Sequence, residues 1–230
     1  MTALALQTRT SPSFAVAAVS RMREPRSALA SLGTISRFDR NTTIFSEGDD
    51  AGYSYKVITG AVRLSKIMSD GRRQIAEFAL SGDFFGINWL EEYALTAETL
   101  NDVTVVRFGR ERLVQLGDEN HEARAEIFST LRHDLWAAQN HLVILGRQSA
   151  LERVASFLVQ LIERNRSINK ITIDLPMTRL DIADYLGLTI ETVCRMLAKL
   201  KKSAIIGIPN RHTITVRNVA ALRRAAQPEG

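Results

Sequence analysis

The chain has 230 residues, 45% of them hydrophobic, and carries 30 Lys and Arg against 25 Asp and Glu for a net charge of +5. That balance supports one large or two modest folded domains and excludes a chain disordered throughout. No apolar run reaches the roughly 20 residues of a membrane helix, and the single cysteine, Cys194, excludes an internal disulfide and any all-cysteine metal or iron–sulfur site within one chain. A cytoplasmic protein with no membrane partner is expected. The charge is uneven: residues 149–230 hold 13 basic and 7 acidic side chains, whereas residues 1–148 hold 17 and 18. A basic C-terminal part on a near-neutral body points to phosphates as a partner.

Residues 1–30 are poor in acids and rich in Ser, Ala and Arg, but Arg21, Arg23 and Arg26 follow the apolar residues instead of preceding them. That order does not make a targeting peptide, so a flexible tail is expected. Across 31–118 the pattern is short and alternating. Strands are expected at Tyr55–Ile58, Ala61–Ile67, Arg73–Ala79 and Asp102–Phe108, with Gly60, Asp70-Gly71 and Gly82-Asp83 as turns. Short strands at near-regular spacing imply a small β-barrel or roll.

The period then changes. Residues 119–147 read as one long helix, without Gly or Pro from Glu119 to Leu145, and with apolar residues at Ile127, Leu131, Leu135, Ala138, Leu142 and Leu145. Spacings of four, four, three, four and three make a narrow seam. It suits a homodimer coiled coil, or a helix merely packed on its own barrel. Gly146 is the expected hinge, Ala150–Glu163 a further amphipathic helix, and Asn165–Lys170 a polar break. A separate C-terminal domain is placed at 148–230.

Pro176 is followed by Thr178-Arg-Leu-Asp181, a helix N-cap with an acid at the third helical position. The first helix should end at Leu186, Gly187 should supply the turn, and Thr189 should cap a second helix through about Leu200. Counting from Arg179, Ala183 is fifth, Gly187 ninth and Val193 fifteenth: a small residue for a close crossing, a glycine for a left-handed turn, and a branched residue to close the core. This is a helix-turn-helix. Ile190, Glu191, Cys194 and Arg195 lie at the start of the second helix, where such motifs meet base edges. Arg195 suits guanine O6 and N7, Glu191 suits cytosine N4 and can brace the guanidinium four residues on, and Ile190 suits a thymine methyl. A plain surface Glu–Arg pair is the alternative. Thr178, Thr189, Lys199, Lys201 and Lys202 are candidate phosphate contacts. Ile205–Ile208 and Thr213–Val216 around Pro209-Asn210-Arg211 read as a hairpin wing, with Arg211 and His212 near its tip as further phosphate candidates.

The segments Phe45-Ser-Glu-Gly-Asp49, Tyr55-Lys-Val-Ile-Thr-Gly60, Asp70-Gly-Arg-Arg-Gln-Ile75, Gly82-Asp-Phe-Phe-Gly86 and Leu188-Thr-Ile-Glu-Thr-Val-Cys-Arg195 resemble the Crp/Fnr superfamily, near its Fnr/FixK branch, over roughly residues 30–225. The resemblance implies an α+β chain: a cyclic-nucleotide-binding-like β-roll, a long dimerisation helix and a winged helix-turn-helix. It further implies a homodimer that binds double-stranded palindromic promoter DNA and activates transcription through RNA polymerase, with microaerobic respiration or nitrogen fixation among the processes controlled. Members with Val or Ile before a Glu-x-x-Ser-Arg run read TTGAT half-sites. Ile190, Glu191, Cys194 and Arg195 occupy those places, so a TTGAT-N4-ATCAA-like site is expected, with Cys194 replacing the serine. Cyclic-AMP-type members have Arg where Ile190 stands.

The nucleotide-binding members of the family resemble Gly-Glu followed by Arg-Ser/Thr. Here Gly86 precedes Ile87, and Ala97-Glu98-Thr99 lacks the arginine, so no cyclic nucleotide and no cofactor are expected. His121, His133, His141 and His212 have no obvious partners and read as solvated. An effector unrecognised in the roll is the competing reading. There is no Ser/His/Asp ordering, HExxH spacing or phosphate-cradling Gly loop, which argues against an enzyme. Cys194, near a helix N-terminus and Arg195, is a candidate redox switch, or simply a small residue in place of serine.

Overall fold

The computed structural model describes residues 33–87, 91–164 and 172–227. The tail expected over 1–30 and the polar break expected at Asn165–Lys170 lie outside the described residues.

Eight strands build the first half: β1 (Thr34–Phe38), β2 (Thr43–Phe45), β3 (Tyr53–Thr59), β4 (Ala61–Ile67), β5 (Arg73–Leu80), β6 (Phe84–Phe85), β7 (Thr96–Thr99) and β8 (Val103–Gly109). They form two four-stranded antiparallel sheets, ordered β1-β8-β3-β6 and β2-β7-β4-β5. The four strands expected from alternation fall in β3, β4, β5 and β8. The others are two to five residues long, too short for a period of two to register in the sequence. Val57, Val62, Leu64, Ala97, Val103 and Val105 close the interior between the sheets. Gly60 permits the β3–β4 reversal: its φ is +92°, and a Cβ there would stand 2.5 Å from the Asp102 carbonyl oxygen.

A short helix that the sequence did not suggest, α1 (Arg110–Glu119), follows β8 and buries Leu113 and Leu116. Asn120 then caps α2 (His121–Arg147), its side chain accepting from the Glu122 and Ala123 amides. The helix runs straight through Gly146. The break comes at Gln148, whose ψ of 143° is extended, so the hinge lies two residues beyond the expected glycine. Gly146 is solvent-facing and has no contact that needs its missing Cβ; a lone glycine lowers helix propensity by about 1 kcal/mol, too little to stop a packed helix.

The second half comprises α3 (Ala150–Arg164), β9 (Thr172–Asp174), α4 (Arg179–Leu186), α5 (Ile190–Lys202), β10 (Ile206–Asn210), β11 (Thr213–Val216) and α6 (Val219–Ala225). The wing is a three-stranded sheet, ordered β10-β11-β9, with β9 the strand not anticipated. Val154, Phe157 and Leu158 of α3 join Ile182, Val193, Leu197, Leu200, Ile206 and Ile214 in one apolar cluster. That cluster continues into Ile144 of α2 and into Ala61, Ile75 and Phe78 of the roll. The helix-turn-helix is therefore packed on the roll and not merely tethered to it.

Candidate nucleic-acid interface

Two caps fix the helix-turn-helix. The Thr178 hydroxyl accepts from the Asp181 amide at 3.1 Å, and the Asp181 carboxylate accepts from the Thr178 amide at 2.9 Å, a reciprocal capping box at the start of α4. Gly187 ends α4 in the left-handed region (φ 60°, ψ 42°), and the Thr189 side chain accepts from the Thr192 amide to open α5. Ala183 is buried at the crossing, as its size allows.

α5 divides cleanly. Val193, Leu197 and Leu200 are buried, whereas Ile190, Glu191, Cys194, Arg195, Lys199, Lys201 and Lys202 are exposed. The four expected readers thus share one open face with three lysines beyond them. The expected Glu191–Arg195 brace is not formed. The Arg195 guanidinium leans on the Thr192 hydroxyl at 3.4 Å, while the Glu191 carboxyl turns back to its own amide and the Thr189 hydroxyl, which hold it below its ordinary pKa. Both functional ends stay available to a partner: a charged acceptor and a planar five-donor fork.

The phosphate candidates separate. Thr189, Lys199, Lys201, Lys202 and Arg211 are exposed. Thr178 is different, because its hydroxyl donates to the Asp181 carboxylate at 2.7 Å and its amide does the same, leaving no proton for a phosphate. His212 is exposed as well, with its backbone fixed by its amide donating to Asn210 Oδ1 at 2.8 Å and its carbonyl accepting from the Leu175 amide, and with ring Nδ1 3.4 Å from the Leu175 carbonyl.

Two arginines that the motif reading passed over also belong to the site. Arg179, the first residue of α4, is part-buried with Nη1 unpartnered; burial lowers its pKa, partly offset by the nearby Cys194 sulfur. The cation beside Cys194 is therefore Arg179 as well as the adjacent Arg195. Arg153 of α3 donates to three backbone carbonyls: Leu145 at the end of α2 (2.8 Å), Gln148 at the hinge (2.9 Å) and Leu186 at the end of α4 (2.9 Å). One guanidinium thus satisfies helix C-termini that would otherwise lack donors. Nothing in the amphipathic pattern of α3 singles this arginine out, and its three acceptors are separated by up to 41 positions.

One histidine of the four corrects an expectation, while His121, His133 and His212 are exposed as expected. His141 is buried, stacked on Tyr185 with ring centroids 4.1 Å apart, and both ring nitrogens lack partners; burial lowers its pKa. Among the described residues, no three His, Cys, Asp or Glu side chains converge to hold a metal ion.

Inside the roll, Phe45, Tyr55, Phe85 and Tyr93 form a stack, with Phe45–Tyr93 centroids 3.6 Å apart and Tyr55–Phe85 5.0 Å apart. All four are buried, and a Cβ on Gly86 would come within 3.2 Å of Phe45. Glu98 does not face this interior. It points outward from β7, where Ala97 and Thr99 are the buried residues, and pairs with Arg63 at 3.1 Å. A phosphate placed in that interior would therefore not meet the Glu98 carboxylate.

An antiparallel roll feeding one long helix and a winged helix-turn-helix with an open second helix defines a DNA-binding transcription regulator. Residues 35–120 match the model of the cyclic nucleotide-binding domain family, and residues 152–225 that of the Crp-like helix-turn-helix domain family. The chain is 40% identical over 203 residues to the nitrogen fixation regulation protein FixK of Azorhizobium caulinodans, covering 87% of this chain and 82% of that protein. It is 39% identical to the transcriptional activatory protein AadR of Rhodopseudomonas palustris, over 75% and 73% of the two chains. The structure of FixK2 from Bradyrhizobium japonicum superposes with a TM-score of 0.80 at 36% identity, over 86% of this chain and 99% of that one. The chain belongs to the Crp/Fnr superfamily of transcription regulators, in its Fnr/FixK branch, and is not an enzyme. No helix among the described residues is long and apolar enough to cross a membrane.

Proposed function

We propose that the protein is a cytoplasmic, homodimeric activator that binds a TTGAT-N4-ATCAA-like palindrome without a small effector and recruits RNA polymerase to genes of nitrogen fixation or microaerobic respiration. The observation that carries this reading is the open face of α5, where Ile190, Glu191, Cys194 and Arg195 stand together in solvent. Such a face at the N-terminal end of a second helix suits the major groove. Phosphate positioning falls to Lys199, Lys201, Lys202, Arg211 and the exposed His212, because the Thr189 hydroxyl, like that of Thr178, is already donated within the chain, to Thr192 at 3.1 Å.

The dimer seam has support in exposure. Phe128, Leu135 and Leu142 are 60%, 61% and 71% exposed, and Leu131, Ala138 and Leu145 complete their row. Ile127 leaves the expected set, because it packs against Leu113 and Leu116 of its own chain. With Phe128 in its place, the spacings become three, four, three, four and three, a regular heptad.

Ligand independence is supported by the aromatic stack, which fills the interior beside Gly86. The competing reading has one observation in its favour: a cavity of about 340 Å³ between α1 and α2, lined by Ile87, Leu113, Ile127, Phe128 and Leu131 among others. It adjoins the exposed seam, so a partner helix would cover it. The names of FixK and AadR favour the regulatory process and the activating role. Oxidation of Cys194, exposed on the reading face beside Arg179 and Arg195, would put polarity and then negative charge against DNA. Equal loss of affinity in wild type and Cys194→Ser after peroxide treatment removes that control.

A competition binding series tests the reading. Duplexes with TTGAT half-sites should outcompete otherwise identical duplexes with GTGA-type half-sites by about 10-fold or more, each mismatched pair costing roughly 1–3 kcal/mol. Equal competition contradicts it.

A further inference from the structure

The β4–β5 ribbon carries two arginines whose charges serve neither half of the molecule alone. Arg63 and Arg73 reach across to α4 and close on one carboxylate: Arg63 Nη1 lies 3.0 Å and Arg73 Nη2 2.7 Å from Asp181 Oδ1. Arg73 Nε donates to Asp184 Oδ2 at 2.8 Å, and Arg63 Nε donates to Glu98 Oε2 at 3.1 Å. Gln74, the next residue on β5, donates to the Tyr185 carbonyl at 3.4 Å. Below the ion pairs the Tyr185 ring sits against Phe78 of β5 (5.2 Å), Phe157 of α3 (5.7 Å) and His141 of α2 (4.1 Å).

Asp181 divides its work by oxygen. Oδ2 takes the Thr178 amide and hydroxyl and thereby caps α4, while Oδ1 takes the two arginines. The cap is complete without the arginines, and the β4–β5 ladder is complete without α4. What the four charges add is a fixed relation between the roll and the first helix of the helix-turn-helix. Paired charges withdrawn from water contribute less to stability than their Coulomb attraction suggests, because desolvation offsets it, but they tolerate one geometry only. Here Asp181 has 2% of its side chain exposed, so the geometry is tightly imposed.

The docked arrangement leaves the reading face free. Ile190, Glu191, Cys194 and Arg195 point to solvent while α4 is held, so the contact presents α5 instead of hiding it. Covalently, α2 and α3 are joined only through Gln148 and Ser149. A head free to swing there would spread the separation between two reading helices, whereas a palindrome demands about one helical turn between half-sites.

We propose that Arg63 and Arg73, closed on Asp181 and Asp184, form an orientation clasp that presets the reading helix for one half-site spacing in the absence of any ligand. The proposal rests on the homodimeric, palindrome-binding reading given above. Arg63, Arg73 and Asp184 are positioning residues, acting on DNA through α4.

Two measurements test it, one without DNA. Spin labels at Thr59→Cys and Ser203→Cys, in full-length protein carrying Cys194→Ser, should give one narrow intrachain distance between roll and reading helix. The same labels in Arg63→Gln/Arg73→Gln should give a distribution at least about twice as broad, with the helix content and melting of each half little changed. An equally narrow distribution in the folded variant overturns the clasp. The second measurement ranks affinities for palindromes with three-, four-, five- and six-base spacers. Wild type should favour the four-base spacer by about 10-fold or more, as expected of a rigid dimer on helically phased half-sites. The variant should fall to within about 3-fold across the series and keep its guanine preference, since no reader side chain is altered. Should the double variant not fold, Asp184→Asn carries the same two tests with the capping box intact, and unchanged distance and ranking there overturn the clasp. A wild type without spacer preference but with a narrow distance contradicts the palindrome reading and leaves the clasp standing.

Discussion

At the scale of single residues, the proposed function rests on side chains exposed on one face of α5 and on others whose partners are far away in sequence. Arg195 is the proposed reader whose chemistry is most specific, and Lys202 is a point charge at the far end of the same helix. Arg195→Ala should cost about 1–3 kcal/mol of DNA binding and relax preference at the guanine step, whereas Lys202→Ala should weaken all sequences alike and flatten the salt slope by about one unit. Anisotropy titrations at several salt concentrations separate the two, and matching sequence-independent losses would show that Arg195 is not a reader. A second residue-scale effect concerns Glu77 on β5. Burial, then the nearby Asp134 and Asp83 carboxylates, push its pKa up to about 7 against the pull of Arg164, and burial with Asp83 pushes Asp134 up to about 6 against His133 and Arg164. The fold therefore favours the protonated acid, so this contribution is present in full below the ordinary glutamate pKa and is lost as pH rises toward 7. Glu77→Gln should leave melting nearly unchanged at pH 4 and stabilise at pH 8 by roughly 1–3 kcal/mol. A gain of the same size at both pH values contradicts the assignment.

At the scale of elements, the sequence was legible wherever a periodic face meets a cap. Thr178 with Asp181, Gly187 and Thr189 delimit α4 and α5 because each sits where a backbone group needs a specific side chain or a left-handed φ. Short strands such as β6 and β9 escaped, since two or three residues hold no period and are set by their neighbours in the sheet. The start of the proposed seam of α2 is ambiguous from the sequence alone. Ile127 and Phe128 are both apolar, and only the packing of α1, itself unanticipated, decides which of them turns inward. Bonds between elements were beyond reach: Arg153 joins α2, α3 and α4, and the two clasp arginines lie 118 and 108 positions from Asp181. No local rule connects such pairs. The row of Phe128, Leu131, Leu135, Ala138, Leu142 and Leu145 can be tested on its own. Leu135→Asp puts a charge at the centre of the row and should convert the dimer to monomer in sedimentation analysis, leaving weak half-site binding. Leu135 is 61% exposed within one chain, so the monomer should stay folded, and a stable dimer in this variant would remove α2 as the seam.

At the scale of the whole molecule, one apolar cluster runs from the roll through the end of α2 into the helix-turn-helix, and ion pairs close over it. The roll gives support where its fold family takes its name from a ligand: four stacked rings fill its interior, and its outer ribbon holds α4. The reading face is open in this arrangement, and on the proposed reading binding has no ligand-driven conformational step to wait for. The measurement that bears most directly on this is the affinity of freshly purified, reduced, full-length protein for a TTGAT-N4-ATCAA duplex, with and without cyclic nucleotides. The expected result is a Kd in the range of about 10⁻⁸ M or tighter at physiological salt, unchanged within about 2-fold by cyclic AMP or cyclic GMP. Binding that is weak and nonspecific alone, and tight and site-specific only once a nucleotide is added, would contradict the ligand-free account.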